Sequence, residues 1–242
     1  MNSWTMFDIN RHKFFLLQIL KDIYSDTDLA NDLGFKGGTA LMFFYDLPRF
    51  SVDLDFDLLF QEKTDLVYQK IRKIILKYGK VFDEAKKHYG LLVVLDYGFG
   101  ERKLKIEISN RQFDSRYEIK DLLGFNVKVM VVSDMFAHKL CAHTDRKTTI
   151  HRDIFDTWFF LQRRTPVNRY IVESRMNMEF EQYLEQCITR LESLKHRSLL
   201  DGLGELTDPA MKSFVKNKLL SETISLLKIF KIYPLFSENS KG

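Results

Sequence analysis

Three aspartates, Asp53, Asp55 and Asp57, take every second position of the stretch RFSVDLDFDLLF (49–60), whose other members are mostly Val, Leu and Phe. In an extended strand, residues two apart face the same side. The three carboxylates therefore share one face, and Leu54, Phe56 and Leu58 share the other. Strands disfavour aspartate and neighbouring like charges repel, so the arrangement costs stability unless something positive sits over it. A divalent cation is the usual remedy, because hard carboxylate oxygens are the ligands that Mg2+ selects. A solvent-facing edge strand carrying protective charge would show the same spacing.

Upstream, Gly37-Gly38-Thr39 leads into the apolar segment Thr39 to Tyr45, bounded by Pro48, which reads as a buried helix starting right after the glycines. Free backbone N–H groups and the helix dipole make such a start an anion site, and glycine lets a phosphate approach the backbone closely. A glycine pair alone is more often a tight turn. The informative feature is the combination: two glycines, fourteen residues, then Asp-x-Asp, with Arg49 and Ser51 just ahead of the first aspartate.

Further along, KLKIEIS (103–109) places Glu107 on one face with Lys103 and Lys105, opposite Leu104, Ile106 and Ile108. Glu107 is the natural third carboxylate; a surface glutamate in a lysine-rich hairpin would look alike. Lys139 stands one helical turn from Met135 and His143 in an apolar segment, so it either snorkels from a core-facing helix or aims at a phosphate. Asp153 and Asp156 are spaced i, i+3 on one helix face. Asp153 follows Arg152 at the helix start, where a carboxylate is favourable for capping reasons alone. Asp156, among Phe155, Trp158 and Phe159, is harder to explain as a surface residue. His138, Cys141, His143 and His151 do not have the spacing of a zinc ligand set, and no Walker-type phosphate loop occurs.

The elements that must hold these groups follow from periodicity. An amphipathic helix is expected from Phe7 to about Tyr24, then the glycine turn and buried helix, a strand over 50–60 and a helix over 62–88. Leu91 to Tyr97 and Lys103 to Ser109 read as a hairpin around GFGE, and FNVKVMVV (125–132) as a further strand. Ser133 is expected to cap a helix running from Asp134 to about His143. Beyond it RDIFDTWFFLQRR, the region 170–197 and Pro209 to Ile232 are helical in pattern, with DGLGELTDPA as the clearest loop.

The composition thus predicts an α/β (α+β) fold. A core at 1–132 carries a small mixed sheet, and a helical domain follows at 133–242. With 242 residues, 45% hydrophobic and 14% aromatic, the chain has enough apolar material for a substantial core. Net charge +4 suits a phosphate-bearing ligand but is common in proteins that bind none. Two cysteines, Cys141 and Cys187, give no disulfide framework, and no stretch approaches the ~20 apolar residues of a membrane helix, so a soluble cytoplasmic protein is expected.

KGGTALMFFYDLPRFSVDLDF resembles the signature of the nucleotidyltransferase superfamily, whose type is DNA polymerase β. In detail it resembles the AbiEii/AbiGii toxin family, with GGTAL followed by R-x-S-x-D-x-D. The later SDMFAHKLCAHTDRKTTIHRDIFDTWFFL is similar to that family's Ala-x-Lys-Leu-x-Ala helix, a following Asp-Arg and an Arg-Asp-hydrophobic-hydrophobic-Asp segment. Val52 stands where members often carry an acidic residue, and the matches span 36–161.

The resemblance implies Mg2+-dependent (or Mn2+-dependent) transfer of a nucleotidyl group from an NTP to an acceptor hydroxyl, in the toxin of a toxin–antitoxin or phage-defence system. A cognate antitoxin would be encoded nearby. Asp53, Asp55 and Glu107 would hold the metal, and Gly37, Gly38, Thr39, Arg49 and Ser51 would serve the phosphates. Lys139 and Asp156 would join the active site, with Arg152 and Asp153 beside the nucleotide, and the helical domain at 133–242 would complete the active-site cleft. RNA, particularly the tRNA 3′ end, is the acceptor favoured by Arg163, Arg164, Arg169, Lys195, Arg197, Lys212, Lys216 and Lys218. A protein hydroxyl as acceptor, or a non-catalytic nucleotide-binding module, are the competing readings.

Overall fold

A computed structural model describes residues 8–98, 101–145, 151–194, 203, 207 and 209–238. The chain separates into two compact units, one formed by Met1–Asp46, Phe50–Gln112 and Tyr117–Met130, the other by Leu47–Arg49, Phe113–Arg116 and Val131–Gly242.

The first unit begins with α1 (Ile9–Ser25), whose N-cap Asp8 accepts a hydrogen bond from Arg11 N at 3.0 Å and whose buried stripe is His12, Leu16, Ile19, Leu20 and Ile23. A short α2 (Thr27–Asp32), capped by Asp26, leads into β1 (Leu33–Lys36), then α3 (Gly37–Phe44) and β2 (Asp53–Leu58). Next come α4 (Thr64–Ile75), β3 (Lys80–Lys87), β4 (Gly90–Asp96), β5 (Leu104–Ser109), β6 (Tyr117–Leu122) and β7 (Phe125–Met130). The seven strands form one mixed sheet in the order β3-β4-β5-β2-β1-β7-β6. β2 runs parallel to β5, and β1 parallel to β7; the other neighbours are antiparallel.

One face of this sheet is the core. Leu54 and Phe56 of β2, Leu104, Ile106 and Ile108 of β5 and Phe35 of β1 are all at most 3% exposed. Phe35 and Phe56 lie in register, with ring centroids 5.2 Å apart. Burying each such side chain contributes roughly 2 kcal/mol. The β2 alternation thereby fixes which way its aspartates point, because a slip of one residue would drive them into this core.

Three strands differ from the sequence expectation. The helix expected over 62–88 stops at Ile75, and Lys80–Lys87 pairs with β4 as the edge strand β3, with a bulge between Val81 and Asp83. Its Lys, Glu and Ala residues favour helix, but the apolar β4 provides a partner that overrides a weak local preference. β1, only four residues long, and β6 carry too little pattern to be anticipated. β6 joins β7 through Leu123 and Gly124, both at positive φ (52° and 86°), the two-residue hairpin geometry that matches strand twist.

The second unit is helical: α5 (Val132–Asp145), α6 (His151–Gln162), α7 (Arg169–Met176), α8 (Phe180–Glu192), α9 (Pro209–Asn217) and α10 (Leu219–Ile232). Ser133, expected as the cap of α5, instead lies inside the helix and donates its hydroxyl to Asp134 Oδ1. Phe136 stacks on Phe160 at 4.9 Å between centroids, with Phe230 and Phe180 completing an aromatic core. Cys141 and Cys187 are buried there, where burial pushes both thiols up to about 12. The GFGE turn and the DGLGELTDPA loop fall largely outside the described residues. Among the described residues no helix is long and apolar enough to cross a membrane.

Candidate active site

Asp53 and Asp55 emerge from β2 on the face opposite the core, and β5 places Lys105 and Glu107 beside them: in the parallel register, Asp53 pairs with Lys105 and Asp55 with Glu107. The structure thus brings together three of the carboxylates singled out in the sequence, on two neighbouring strands. Their exposure differs. The Asp53 side chain is 19% exposed and that of Glu107 48%. These are hard oxygen donors of the kind that Mg2+ or Mn2+ takes, on a face with solvent access.

A lysine accompanies them. Lys105 Nζ is 3.1 Å from Glu107 Oε2 and 3.8 Å from Asp53 Oδ2. Burial pulls its ammonium down, but Asp53, Glu107 and Asp55 outweigh that and raise it above the ordinary lysine range. The alternation of KLKIEIS already put Lys105 on the face of Glu107; its register with Asp53 is a long-range fact that no local pattern carries.

Gly37 opens α3 with φ +79°, and a Cβ built on it would stand 2.4 Å from Asp55 Oδ2. This glycine therefore satisfies two demands: a left-handed backbone at the strand-to-helix turn, and space for the Asp55 carboxylate. Gly38 is buried in the first turn, and the side chain of the N-cap residue Lys36 makes no capping hydrogen bond. Thr39, fully buried, donates its hydroxyl to the Asp53 carbonyl and so ties the first turn of α3 to the start of β2. Ser51 is buried just ahead of that strand.

Asp57 belongs to a different constellation. It is 6% exposed, forms an ion pair with Lys36, and accepts a hydrogen bond from Tyr117 Oη at 2.7 Å. The Tyr117 ring covers Gly34, the register partner of Asp57, so closely that a Cβ there would lie 2.1 Å from Cε1. The third aspartate of the triplet is thus a buried, doubly satisfied group that knits β1, β2 and β6.

In the second unit, Arg49 and Asp156 form a bidentate pair, Nε to Oδ1 and Nη2 to Oδ2, both 2.7 Å, with side chains 2% and 0% exposed. Lys139 Nζ approaches Asp156 Oδ2 at 2.8 Å and Asp153 Oδ1 at 3.3 Å. The i, i+3 spacing of Asp153 and Asp156 is what lets both converge on one ammonium. Burial would raise the Asp156 carboxyl, but Arg49 and Lys139 hold it down at about 2. Both Asp156 oxygens are occupied by Arg49 and Lys139, while Lys139 keeps a fifth of its side chain exposed. Arg152 is half-buried in the first turn of α6, outside this cluster.

Below the cluster, His143 is 1% exposed, meets Thr157 Oγ1 at 2.9 Å through Nε2, and is pushed down to about 4 chiefly by burial. His138, by contrast, meets Ser115 Oγ at 2.8 Å and Arg175 Nη1 at 2.7 Å. Arginine only donates, so Nδ1 of His138 is an acceptor and Nε2 carries the proton. A network that the sequence did not signal holds the start of α5: buried Asp134 takes Arg116 Nη2 at 2.7 Å and Asn168 Nδ2 at 2.9 Å.

Among the described residues, the one group whose carboxylate oxygens all converge within 4.8 Å is Glu173, Glu179 and Glu181. Arg169 pairs with all three, which offsets part of that cluster's charge. Of the basic residues read as a nucleic-acid surface, Arg163, Arg164, Lys212, Lys216 and Lys218 are exposed, and Lys195 and Arg197 lie outside the described residues.

Comparison with known proteins agrees with this architecture. The chain is similar in structure to JHP933 from Helicobacter pylori, with 22% identity and a TM-score of 0.52 over 93% of this chain and 95% of that one. It is also similar to a protein from H. pylori described as a candidate nucleotidyltransferase, with 22% identity and a TM-score of 0.53 over 92% and 97%. Among curated protein sequences none matches. The family profile described as "Nucleotidyl transferase AbiEii toxin, Type IV TA system" matches residues 18–223, a span that takes in the glycine turn, both carboxylate strands and the Arg49–Asp156–Lys139 cluster. The chain is an enzyme of that family, the AbiEii nucleotidyltransferase toxins of type IV toxin–antitoxin systems.

Proposed function

We propose that the enzyme transfers a nucleotidyl group from an NTP to an acceptor hydroxyl with Mg2+, or Mn2+ in its place, held by Asp53, Asp55 and Glu107, and that the acceptor is RNA at a tRNA 3′ end. The observation that carries this reading is the β2–β5 register, which sets Asp55 beside Glu107 and leaves Asp53 two residues away on the same face. A cation held there supplies charge neutralisation and polarises the phosphate to be attacked.

The chain's own groups do the rest. The acceptor oxygen forms a bond to the α-phosphorus, the bond from that phosphorus to the β-phosphate oxygen breaks, and pyrophosphate leaves. Glu107, with half its side chain exposed, takes the hydroxyl proton. The backbone N–H groups opening α3 at Gly37, Gly38 and Thr39 suit the triphosphate, and Ser51, just ahead of β2, serves the phosphates with them. Lys139 and Arg152 add positive charge for the phosphates, with Asp156 and Asp153 positioning Lys139 and Asp156 positioning Arg49.

RNA is supported as acceptor by the exposed Arg163, Arg164, Lys212, Lys216 and Lys218, since phosphate contacts of that kind supply sequence-independent affinity. The family's description supports a toxin role with an antitoxin as partner; that the antitoxin is encoded nearby and that the response is of the abortive, phage-defence type belong to the proposal.

Incubation of the protein with total RNA, cell extract and NTPs labelled at the α- or γ-phosphate tests this reading. α-Label in RNA, lost in Asp53→Ala and Asp55→Ala, is the expected result. α-Label in protein would move the acceptor to a protein hydroxyl; γ-label transfer would replace nucleotidyl by phosphoryl transfer; no transfer with any NTP would overturn the reading.

A further inference from the structure

Lys105 precedes Glu107 by two positions on β5 and lies in register with Asp53 on β2, so it rises from the same face as Asp53, Asp55 and Glu107. Its ammonium reaches one carboxylate on each strand, at 3.1 Å (Glu107) and 3.8 Å (Asp53). Asp55, in register with Glu107, adds a third carboxylate to the same face. A lysine suits a temporary occupant. Its charge is a compact point on a flexible stem and makes no rigid fork with a carboxylate, unlike arginine. Here 35% of the side chain is exposed, so it has solvent to move into.

We propose that Lys105 is the resident counter-ion of this face: it holds Asp53 and Glu107 in the ion-free protein, gives way to a divalent cation, and thereby sets how tightly the first ion binds. The proposal rests on the reading of Asp53, Asp55 and Glu107 as metal ligands. Two consequences follow from charge alone. An incoming ion has to part Lys105 from both carboxylates and then tolerate it nearby, which weakens binding. In the absence of Lys105 the three carboxylates repel one another until an ion arrives, so the ion should stabilise the fold more.

Binding of Mn2+ alone, without nucleotide, to the full chain tests this by calorimetry and by the electron paramagnetic resonance signal of free Mn2+. Lys105→Met removes the charge at equal length, Lys105→Gln is a second neutral variant, Lys105→Arg keeps the charge, and Asp53→Asn removes a ligand. A unit charge about 6 Å from a divalent ion in a watery environment opposes it by on the order of tenfold, so K105M and K105Q are expected to bind Mn2+ about tenfold tighter than wild type. K105R should stay within a few-fold of wild type, and the Mn2+-induced rise in Tm should be larger in K105M. Unchanged or weaker affinity in both neutral variants, with wild-type binding intact and sensitive to D53N, overturns the role of Lys105 and leaves the metal reading standing. So does a K105R affinity as tight as that of K105M, since packing and not charge would then be responsible. Absence of Mn2+ binding to the folded wild type and variants removes the metal reading, and the proposal with it.

Discussion

A Cβ on Gly37 would stand 2.4 Å from Oδ2 of Asp55, a distance that real Cβ atoms do not tolerate. The strand aspartate and the helix-opening glycine are therefore one feature: the carboxylate occupies the space that a side chain at 37 would fill. The backbone there is also left-handed, at φ +79°, so a substitution is penalised twice.

Gly37→Ala should accordingly displace Asp55 and lower nucleotidyl transfer by on the order of 100-fold while costing only about 1–2 kcal/mol of stability. Labelled-NTP transfer and urea denaturation on the same preparation separate the two effects. Full transfer by a folded G37A protein would show that Asp55 needs no such space.

The buried Arg49–Asp156 pair leads to a different expectation. Asp156→Ala removes the carboxylate that the Arg49 guanidinium and the Lys139 ammonium share, and removal of one partner from a buried pair costs about 3–5 kcal/mol. Asp156→Ala should thus unfold at markedly lower urea concentration, with Arg49→Met equally affected and the double variant far less than additive. Additive losses in the double-mutant cycle would mean that the pair is not energetically coupled.

Asp57 should behave as a structural residue. Tyr117→Phe removes the hydroxyl that donates to it at 2.7 Å, and a lost hydrogen bond to a charged acceptor costs about 1.5–3 kcal/mol. The variant should melt several degrees lower yet bind Mn2+ with wild-type affinity, since the hydroxyl removed donates to Asp57. A changed Mn2+ affinity would bring Asp57 back into the metal site.

What the sequence made legible was whatever repeats locally. The alternation of 49–60 and of 103–109 oriented Asp53, Asp55 and Glu107, and the apolar periodicity around Lys139 and Asp156 marked α5 and α6. What it hid was pairing over distance. The partners of Asp57, Lys36 and Tyr117, lie 21 and 60 residues away, and Asp156 finds Arg49 at a separation of 107. The edge strand β3 was hidden for the same reason: Lys80–Lys87 is helical by composition and extended only because β4 lies beside it. The spacing that first suggested three equivalent carboxylates thus covers two chemistries, a pair aimed at solvent beside Glu107 and one buried ion pair.

The buried His143 sets a pH dependence whose sign is fixed. Its ordinary value near 6.5 is lowered to about 4 in the folded protein, mainly by burial, with Arg190 and Lys139 adding to the shift and Asp153 and Asp156 opposing it. Above pH 6.5 both folded and unfolded chains hold it neutral, and its stability contribution is complete. As pH falls from 6.5 to 4 the unfolded chain takes up a proton that the folded chain refuses, so stability declines by roughly 3 kcal/mol and then levels off. His12, buried and also lowered, acts in the same direction. Asp156 adds a separate, more acidic window: its stabilisation is intact above its ordinary value of 3.8 and is lost as pH falls towards about 2. Urea denaturation at half-unit steps from pH 7.5 to 4 should therefore show a steady loss in wild type. His143→Gln, which retains a donor for Thr157 but cannot titrate, should show a clearly smaller loss, with the remainder due to His12. An identical pH profile in H143Q would place the acid sensitivity elsewhere and contradict the burial of a neutral His143.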